Sequence, residues 1–228
     1  MGLKLENVIP WGRSHEEYIR MFDLKPDELP LRILDCAGGP ASFNAEMTQL
    51  GYNVISCDPI YQFDADEITE RVDDTYSIII DGVKENLDCY VWQDIPSPEE
   101  LGKVRMSAME KFLADFPQGV KEGRYLRDGL PVLPFNNKQF DLALCSHFLF
   151  SYTEQLSETF HLASILEMSR VAKEVRIFPI LTISGEMSPL VEPVMKKLEM
   201  QGYIVEVRDV SYEFQKGGNQ MLRVCPPM

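Results

Sequence analysis

The sequence predicts an α/β fold: a doubly wound, mostly parallel, seven-stranded Rossmann-like sheet with an antiparallel C-terminal hairpin and a helical insertion after the second strand. Two observations carry this prediction. A strand, a glycine-rich turn, a helix and a second strand follow one another within residues 31–58, which is typical of a parallel βαβ unit. Strand-like and helical segments alternate again from residue 124, and the last two strands flank a Gly-Gly turn, which indicates a hairpin.

Local signals place the individual elements. Ser14 and Glu17 form a capping box ahead of an apolar face, which predicts a short N-terminal helix. Gly51 ends the second helix, because glycine readily adopts the left-handed conformation found at helix C-termini. The predicted helices cover 15–23, the stretch opened by Ser42, 154–172 and 187–200, and the predicted strands cover 31–35, 52–58, 124–126, 140–146, 174–180, 203–214 and 220–225.

One stretch exceeds what this scheme needs. From Asp58 to Tyr125 the chain advances by 67 residues, whereas a crossover between parallel strands needs about a dozen. Helical patterns over 64–73 and 98–116 fall inside it. We therefore expect a single domain, 1–228, with a helical cap inserted at 62–123, near the strand ends where ligands bind in such sheets.

Composition restricts the partners. The chain of 228 residues has 22 Lys and Arg against 36 Asp and Glu, a net charge of −14, so broad nucleic-acid binding is not expected. No apolar run reaches the roughly 18 residues of a membrane helix, and MGLKLENVIPWGRS lacks the pattern of a signal peptide. Five cysteines without a close pair are typical of reduced thiols in a cytoplasmic protein.

The segment from Asp35 to Phe43 indicates a ligand. Small residues let the backbone approach a bound molecule, and the helix opened by Ser42 would aim free N–H groups at it. A dinucleotide and S-adenosylmethionine are both plausible. The carboxylate of Asp35 would repel a pyrophosphate, however, whereas it suits the ammonium and sulfonium of S-adenosylmethionine.

Asp35-x-Ala37-x-Gly39-x-Ala41 resembles the D/E-x-G-x-G-x-G motif of class I S-adenosylmethionine-dependent methyltransferases. Residues 133–150 and 167–180 resemble segments of the small-molecule branch of that family, and the likeness covers about 31–60 and 124–225. It implies S-adenosylmethionine as cofactor and a small-molecule acceptor. The implied cofactor-binding residues are Asp35, Ala37, Gly38, Gly39, Asp58 (at the ribose), Asp128 and Gly129 (at the adenine), Ser146, and Arg13 (at the carboxylate).

Two departures from the family pattern stand out. Alanine replaces glycine at positions 37 and 41, which suits the motif where positive φ is not needed. The usual Pro-Gly-Gly turn before the fifth strand is missing, since Lys173 leads directly into Glu174.

The chemistry allows several interpretations. His147 could be a general base or a packed histidine between two phenylalanines. No metal site is predicted. The aromatic residues of the insertion could line a lid or form its own core. Alternative functions are a non-catalytic module that binds S-adenosylmethionine or S-adenosylhomocysteine, a dinucleotide-binding protein, and a structural domain whose insertion is an oligomer interface.

Overall fold

The computed structural model describes residues 8–227 and contains one seven-stranded sheet in the order β3-β2-β1-β4-β5-β7-β6. The strands are β1 Ile33–Cys36, β2 Val54–Cys57, β3 Tyr125–Leu126, β4 Phe140–Ser146, β5 Ala172–Phe178, β6 Ile204–Asp209 and β7 Gln220–Cys225. The helices are α1 His15–Met21, α2 Phe43–Gln49, α3 Ala65–Lys84, α4 Pro98–Lys121, α5 Glu158–Val171 and α6 Val191–Glu199. The predicted fold class is confirmed. The predictions made on residues 1–7 and 228 lie outside the described residues.

The first five strands are parallel, and β7 runs antiparallel between β5 and β6. Side chains of β1 are buried on both faces of the sheet. Helices α5 and α6 pack on one face, and α1 and α2 pack on the other. This double cover explains why β1, β2 and β4 read as continuous apolar runs rather than alternating ones.

The insertion helices are longer than their sequence pattern predicts. Helix α3 extends to Lys84 rather than ending at 73 because Ile79, Ile80 and Val83 continue its buried stripe. Helix α4 runs through Pro117 to Lys121, where the missing proline N–H falls near the end of the helix. The two helices pack against each other.

The hairpin connection also differs from the prediction. Residues 210–219, here the β6–β7 loop, join Asp209 to Gln220, so the link is longer than the predicted four-residue turn. The loop folds back against the insertion: the Val91 N–H donates to the Phe214 carbonyl at 2.7 Å, and the Lys216 N–H donates to the Cys89 carbonyl at 2.9 Å. The insertion thus reaches from the β2–β3 edge across the sheet to the β6–β7 loop.

Among the helices within residues 8–227, none is both long and apolar enough to cross a membrane.

Candidate functional site

A cavity of about 980 Å³ opens at the carboxyl ends of the parallel strands. Ligands bind at this edge in open α/β sheets, and the volume lies at the upper end of the ~300–1,000 Å³ range of small-molecule sites. Its walls come from the N-terminal segment (residues 8–14), α1, the β1 loop (residues 37–42), the insertion, the loops after β3, β4 and β5, and the β6–β7 loop.

The backbone N–H groups of the β1 loop form hydrogen bonds within the protein. Pro40 has no N–H, and every other N–H from residue 37 to residue 42 donates to an acceptor within the protein. The bonds are Ala37 and Gly38 to the Cys57 carbonyl, Gly39 to Asp58 Oδ2, Ala41 to the Gly38 carbonyl and Ser42 to the Arg13 carbonyl. The N–H groups of residues 37–42 are therefore used within the protein, and the expectation of free N–H groups at the start of the helix opened by Ser42 stays a prediction.

The conformation of Ala37 does not meet the condition under which alanine suits this motif. Its φ is +54°, in the left-handed region that costs about 1–2 kcal/mol for a residue with a Cβ. Gly39 has φ +53° and bears no such cost. Of the two alanines that replace glycine in the motif, one does occupy a position with positive φ.

Asp58 faces the cavity from the end of β2. Its Oδ1 accepts from the Ile60 N–H at 2.8 Å, and its Oδ2 accepts from the Gly39 N–H at 2.9 Å. Burial raises the pKa of Asp58 to about 6, against these two hydrogen bonds, which lower it. The carboxylate is therefore mostly ionised at neutral pH, and it brings a negative charge to this wall.

Asp35 lies behind the β1 loop and is not among the residues that line the cavity. It is 1% exposed and accepts hydrogen bonds from the hydroxyls of Tyr18 (3.2 Å) and Ser56 (3.1 Å). A Cβ on Gly38 would approach Asp35 Oδ2 to 2.4 Å, so Gly38 must be glycine for the loop to close over the carboxyl. Burial raises the pKa of Asp35 to about 7. In this structure, Asp35 therefore packs against the β1 loop from behind and is held by α1 and β2.

The two residues predicted near an adenine take different positions. Gly129 lines the cavity and packs against the Pro59 ring, which a Cβ would approach to 2.9 Å. Asp128 is exposed and does not line the cavity. The wall continues instead through the apolar Leu130. The role of Asp128 stays a prediction.

Ser146 and His147 line the cavity at the end of β4. Ser146 Oγ lies 2.9 Å from His147 Nδ1, and the His147 N–H donates to the Phe178 carbonyl at 2.6 Å. Burial, together with the charges of Arg13 and Arg105, holds the pKa of His147 well below its usual value. The imidazole is therefore neutral at physiological pH, which is the form that can accept a proton.

A cluster of four residues, here the guanidinium cluster, consists of Arg13, Glu17, Arg105 and Tyr212, and all of them except Glu17 line the cavity. Arg105 Nη1 donates to both Glu17 oxygens at 2.6 Å, and the Tyr212 hydroxyl donates to Glu17 Oε1 at 2.9 Å. Arg105 is 1% exposed. Burial opposes ionisation of Glu17, but Arg105 outweighs it and lowers the pKa of Glu17 to about 2.

Arg13 was expected from the sequence, whereas the roles of Arg105, Glu17 and Tyr212 were missed. A signal for Arg105 exists: it follows Leu101 by four positions and precedes Met109 and Phe112, so it lies on the apolar face of α4. A charge on such a face is unusual unless it is paired. No comparable signal marks Tyr212, because loop residues come together only through the fold.

The aromatic residues of the insertion divide between the two interpretations. Tyr90 lines the cavity together with Trp11 of the N-terminal segment. Phe112 and Met106 belong to the packed core between α3, α4 and β3. Within residues 8–227, no group of three or more His, Cys, Asp or Glu side chains could hold a metal ion.

The strand order, with β7 antiparallel between β5 and β6, is a Rossmann-like arrangement of the kind that class I methyltransferases have. No family model matches the sequence. The chain belongs to the same family as the uncharacterized protein MJ0045 of Methanocaldococcus jannaschii, to which it is 34% identical over 223 residues, covering 96% of this chain and 97% of that protein.

Solved structures similar to this chain have low sequence identity to it. A TehB-like SAM-dependent methyltransferase from Corynebacterium glutamicum is 15% identical, with 94% of this chain and 88% of that one covered and a TM-score of 0.49. Magnesium protoporphyrin IX methyltransferase from Synechocystis PCC 6803, with bound SAM, is 15% identical, with 88% and 72% covered and a TM-score of 0.44. A putative RNA methyltransferase from Pyrococcus horikoshii is 12% identical, with 93% and 83% covered and a TM-score of 0.43.

Proposed function

We propose that this protein is an S-adenosylmethionine-dependent methyltransferase that acts on a small-molecule acceptor. The observation that carries the proposal is the internal use of the β1-loop donors beside the ionised Asp58. A pyrophosphate would need free N–H groups at this turn and would meet the negative charge of Asp58. A ligand with hydroxyl groups and a net positive charge suits the same wall.

The residues of this wall have distinct proposed roles. Asp58 would accept hydrogen bonds from the ribose hydroxyls, since each of its oxygens has a further lone pair. Ala37, Gly38 and Gly39 would let the backbone approach the cofactor, and Gly129 would lie at the adenine. Ser146 and Arg13 would contact the amino acid end, with Arg13 at its carboxylate. Asp35 would act indirectly, by supporting the β1 loop from behind.

Methyl transfer from a sulfonium does not require a nucleophilic side chain of the protein. S-adenosylmethionine supplies a methyl group already activated by a sulfonium. The cavity would align the acceptor for in-line transfer and exclude water, which can contribute on the order of 7–11 kcal/mol to lowering a barrier. His147, held neutral in the wall, would take a proton from an acceptor that has one to lose. The cap across the cavity and the acidic surface favour a small acceptor over a nucleic acid.

Thermal unfolding in the presence of S-adenosylhomocysteine tests the cofactor. At about 100 times the dissociation constant, binding adds roughly 2.7 kcal/mol, which for a chain of this size raises Tm by about 5–10 °C. We expect this shift in the wild type and its loss in Asp58→Ala. Asp209→Ala, at an exposed carboxylate at the end of β6, is the matched control and should keep the shift.

NAD in the same assay addresses the dinucleotide alternative. A shift with NAD, or no shift with either nucleoside ligand, would contradict the proposal. If S-adenosylhomocysteine binds, incubation with methyl-labelled S-adenosylmethionine and a metabolite extract separates an enzyme from a non-catalytic binding module, since only an enzyme transfers the label.

A further inference from the structure

The guanidinium cluster brings two arginine charges to the cavity wall against the single carboxylate of Glu17. Glu17 pairs with Arg105, whereas within residues 8–227 no carboxylate lies within ion-pair distance of Arg13. Arg13 Nη1 donates to the Trp11 carbonyl at 2.5 Å. Burial and the neighbouring Arg105 lower the pKa of Arg13 to about 10, whereas Tyr212 and Glu17 nearby act in the opposite direction.

Hydrogen-bond donors are also left over in this wall. The Nε atoms of Arg13 and Arg105 are both buried and have no hydrogen-bond partner in the described part of the chain. Both residues line the cavity. Buried N–H groups without an acceptor destabilise the protein, and a negatively charged group beside these two guanidinium groups would offset that cost.

The proposed cofactor does not by itself account for this charge. Its carboxylate is offset by its ammonium, and its sulfonium leaves one net positive charge. Arg13 can contact that carboxylate, but the cavity as a whole then becomes more positive. Within residues 8–227 no ion pair joins Asp58 to Arg13 or Arg105, and Asp35 lies behind the β1 loop, so neither carboxyl group pairs with the guanidinium cluster.

Apolar side chains adjoin the guanidinium cluster. Leu101 lies one helical turn before Arg105 on the same face of α4, and Phe214 follows Tyr212 by two residues in the β6–β7 loop. Both line the cavity, and the wall continues with Ile79 of α3. A molecule held by the guanidinium groups would therefore extend along an apolar surface.

We propose that the acceptor is an organic acid with an apolar body, whose carboxylate binds Arg105 and shares Arg13 with the carboxylate of the cofactor, and whose body lies along Leu101, Phe214 and Ile79. The inference rests on the proposed function, because it names the acceptor of that reaction. A carboxylate is favoured over a phosphate monoester, since one positive charge is unpaired and a phosphate monoester carries close to two negative charges at neutral pH.

The test uses hexanoate, hexanamide and hexylamine as probes, with and without saturating S-adenosylhomocysteine, in thermal unfolding and calorimetry. The three probes share an apolar body and differ in the charge of the head group. We expect hexanoate to bind and to raise Tm further in the presence of S-adenosylhomocysteine, with affinities for the amide and the amine at least about tenfold weaker. Equal binding of hexanamide or hexylamine would overturn the proposal.

Substitutions at Arg105 test whether this side chain binds the carboxylate. Arg105→Lys keeps a charge beside Glu17 but removes the guanidinium, and we expect about a tenfold loss of hexanoate affinity with S-adenosylhomocysteine affinity unchanged. Should Arg105→Lys fail to fold, the double variant Glu17→Gln/Arg105→Met, which removes both charges together, replaces it. Arg208→Lys, at an exposed pair on β6, is the control and should leave both affinities as they are.

A second pair of ligands tests whether Arg105 binds the carboxylate of the acceptor or that of the cofactor. S-adenosylhomocysteine has the amino acid carboxylate, and 5′-methylthioadenosine lacks the amino acid group. If Arg105→Lys weakens S-adenosylhomocysteine but not 5′-methylthioadenosine and leaves hexanoate unaffected, Arg105 belongs to the cofactor subsite and the acceptor proposal is wrong. Failure of S-adenosylhomocysteine to bind at all refutes the proposed function instead, and hexanoate binding to the unliganded protein remains a separate readout.

Discussion

At the scale of single residues, the β1 loop contains a strained alanine. Ala37 has φ +54°, whereas Ala41 is not in the left-handed region. The Ala37→Gly variant should unfold with a free energy about 0.5–1 kcal/mol higher than the wild type, because relief of the strain exceeds the entropy that glycine adds to the unfolded chain. Urea denaturation measures the difference.

Ala41→Gly is the matched control in the same loop. It has no such strain to relieve, so it should lower the free energy of unfolding by about 0.5–1 kcal/mol. If both variants destabilise the protein equally, the conformation assigned to Ala37 is incorrect.

The raised pKa of Asp35 predicts that the free energy of unfolding falls as the pH rises. Its pKa is raised from an ordinary value of 3.8 to about 7, so the folded protein keeps a proton that the unfolded chain releases. This stabilisation is complete below about pH 4 and is lost as the pH rises through 7. Relative to Asp35→Asn, the wild type should lose up to about 1.4 kcal/mol per pH unit within that window.

The measurement is urea unfolding of both proteins at several values between about pH 4 and pH 8. Asp141→Asn gives the opposite sign: hydrogen bonds from Arg32 and Lys173 lower the pKa of Asp141, so its contribution is lost on acidification. A stability difference between wild type and Asp35→Asn that does not change with pH would refute the buried, protonatable state of Asp35.

At the scale of elements, the Arg105–Glu17 pair connects α4 to α1, and Tyr212 adds the β6–β7 loop. Arg105→Met should cost about 3–5 kcal/mol of folding free energy, because it leaves the buried Glu17 charge unpaired. Glu17→Gln/Arg105→Met should recover a large part of this loss. Chemical denaturation of the wild type and both variants measures whether their stabilities fall in this order: wild type, double variant, Arg105→Met.

The control for that series lies on the same helix. Lys103 pairs with Glu100 at the surface, where an ion pair contributes at most about 1 kcal/mol, so Lys103→Met should change stability little. A loss in Arg105→Met no larger than that in Lys103→Met would show that the pair is exposed to water in solution.

The start of α1 and the end of α3 show which helix boundaries can be predicted from the sequence. The capping box at Ser14 fixes the start of α1 correctly, because a cap is a local hydrogen-bond arrangement. The end of α3 was misplaced by eleven residues, at 73 instead of Lys84. The acidic pair at 73 and 74 interrupts the local pattern, whereas packing against α4 keeps the helix intact beyond it.

At the scale of the whole molecule, the net charge of −14 predicts weak attraction to nucleic acids. Fluorescence anisotropy with a labelled RNA of about 20 nucleotides should show no binding at micromolar protein in about 0.15 M salt, since phosphate contacts need clustered Lys and Arg. Saturable binding under these conditions would contradict this prediction and would favour a macromolecular acceptor.

The sequence by itself determined the fold class, the β1 loop and the position of Asp58, because alternating strands and helices and a glycine-rich turn are local patterns. Only the tertiary structure decided that Asp35 lies behind that loop, that the loop donors are used internally, and that Arg105, Glu17 and Tyr212 meet. Glu17 and Tyr212 are 195 positions apart. Their contact depends on how α1 and the β6–β7 loop pack together, and that of Arg105 depends on the insertion; no local pattern encodes this packing.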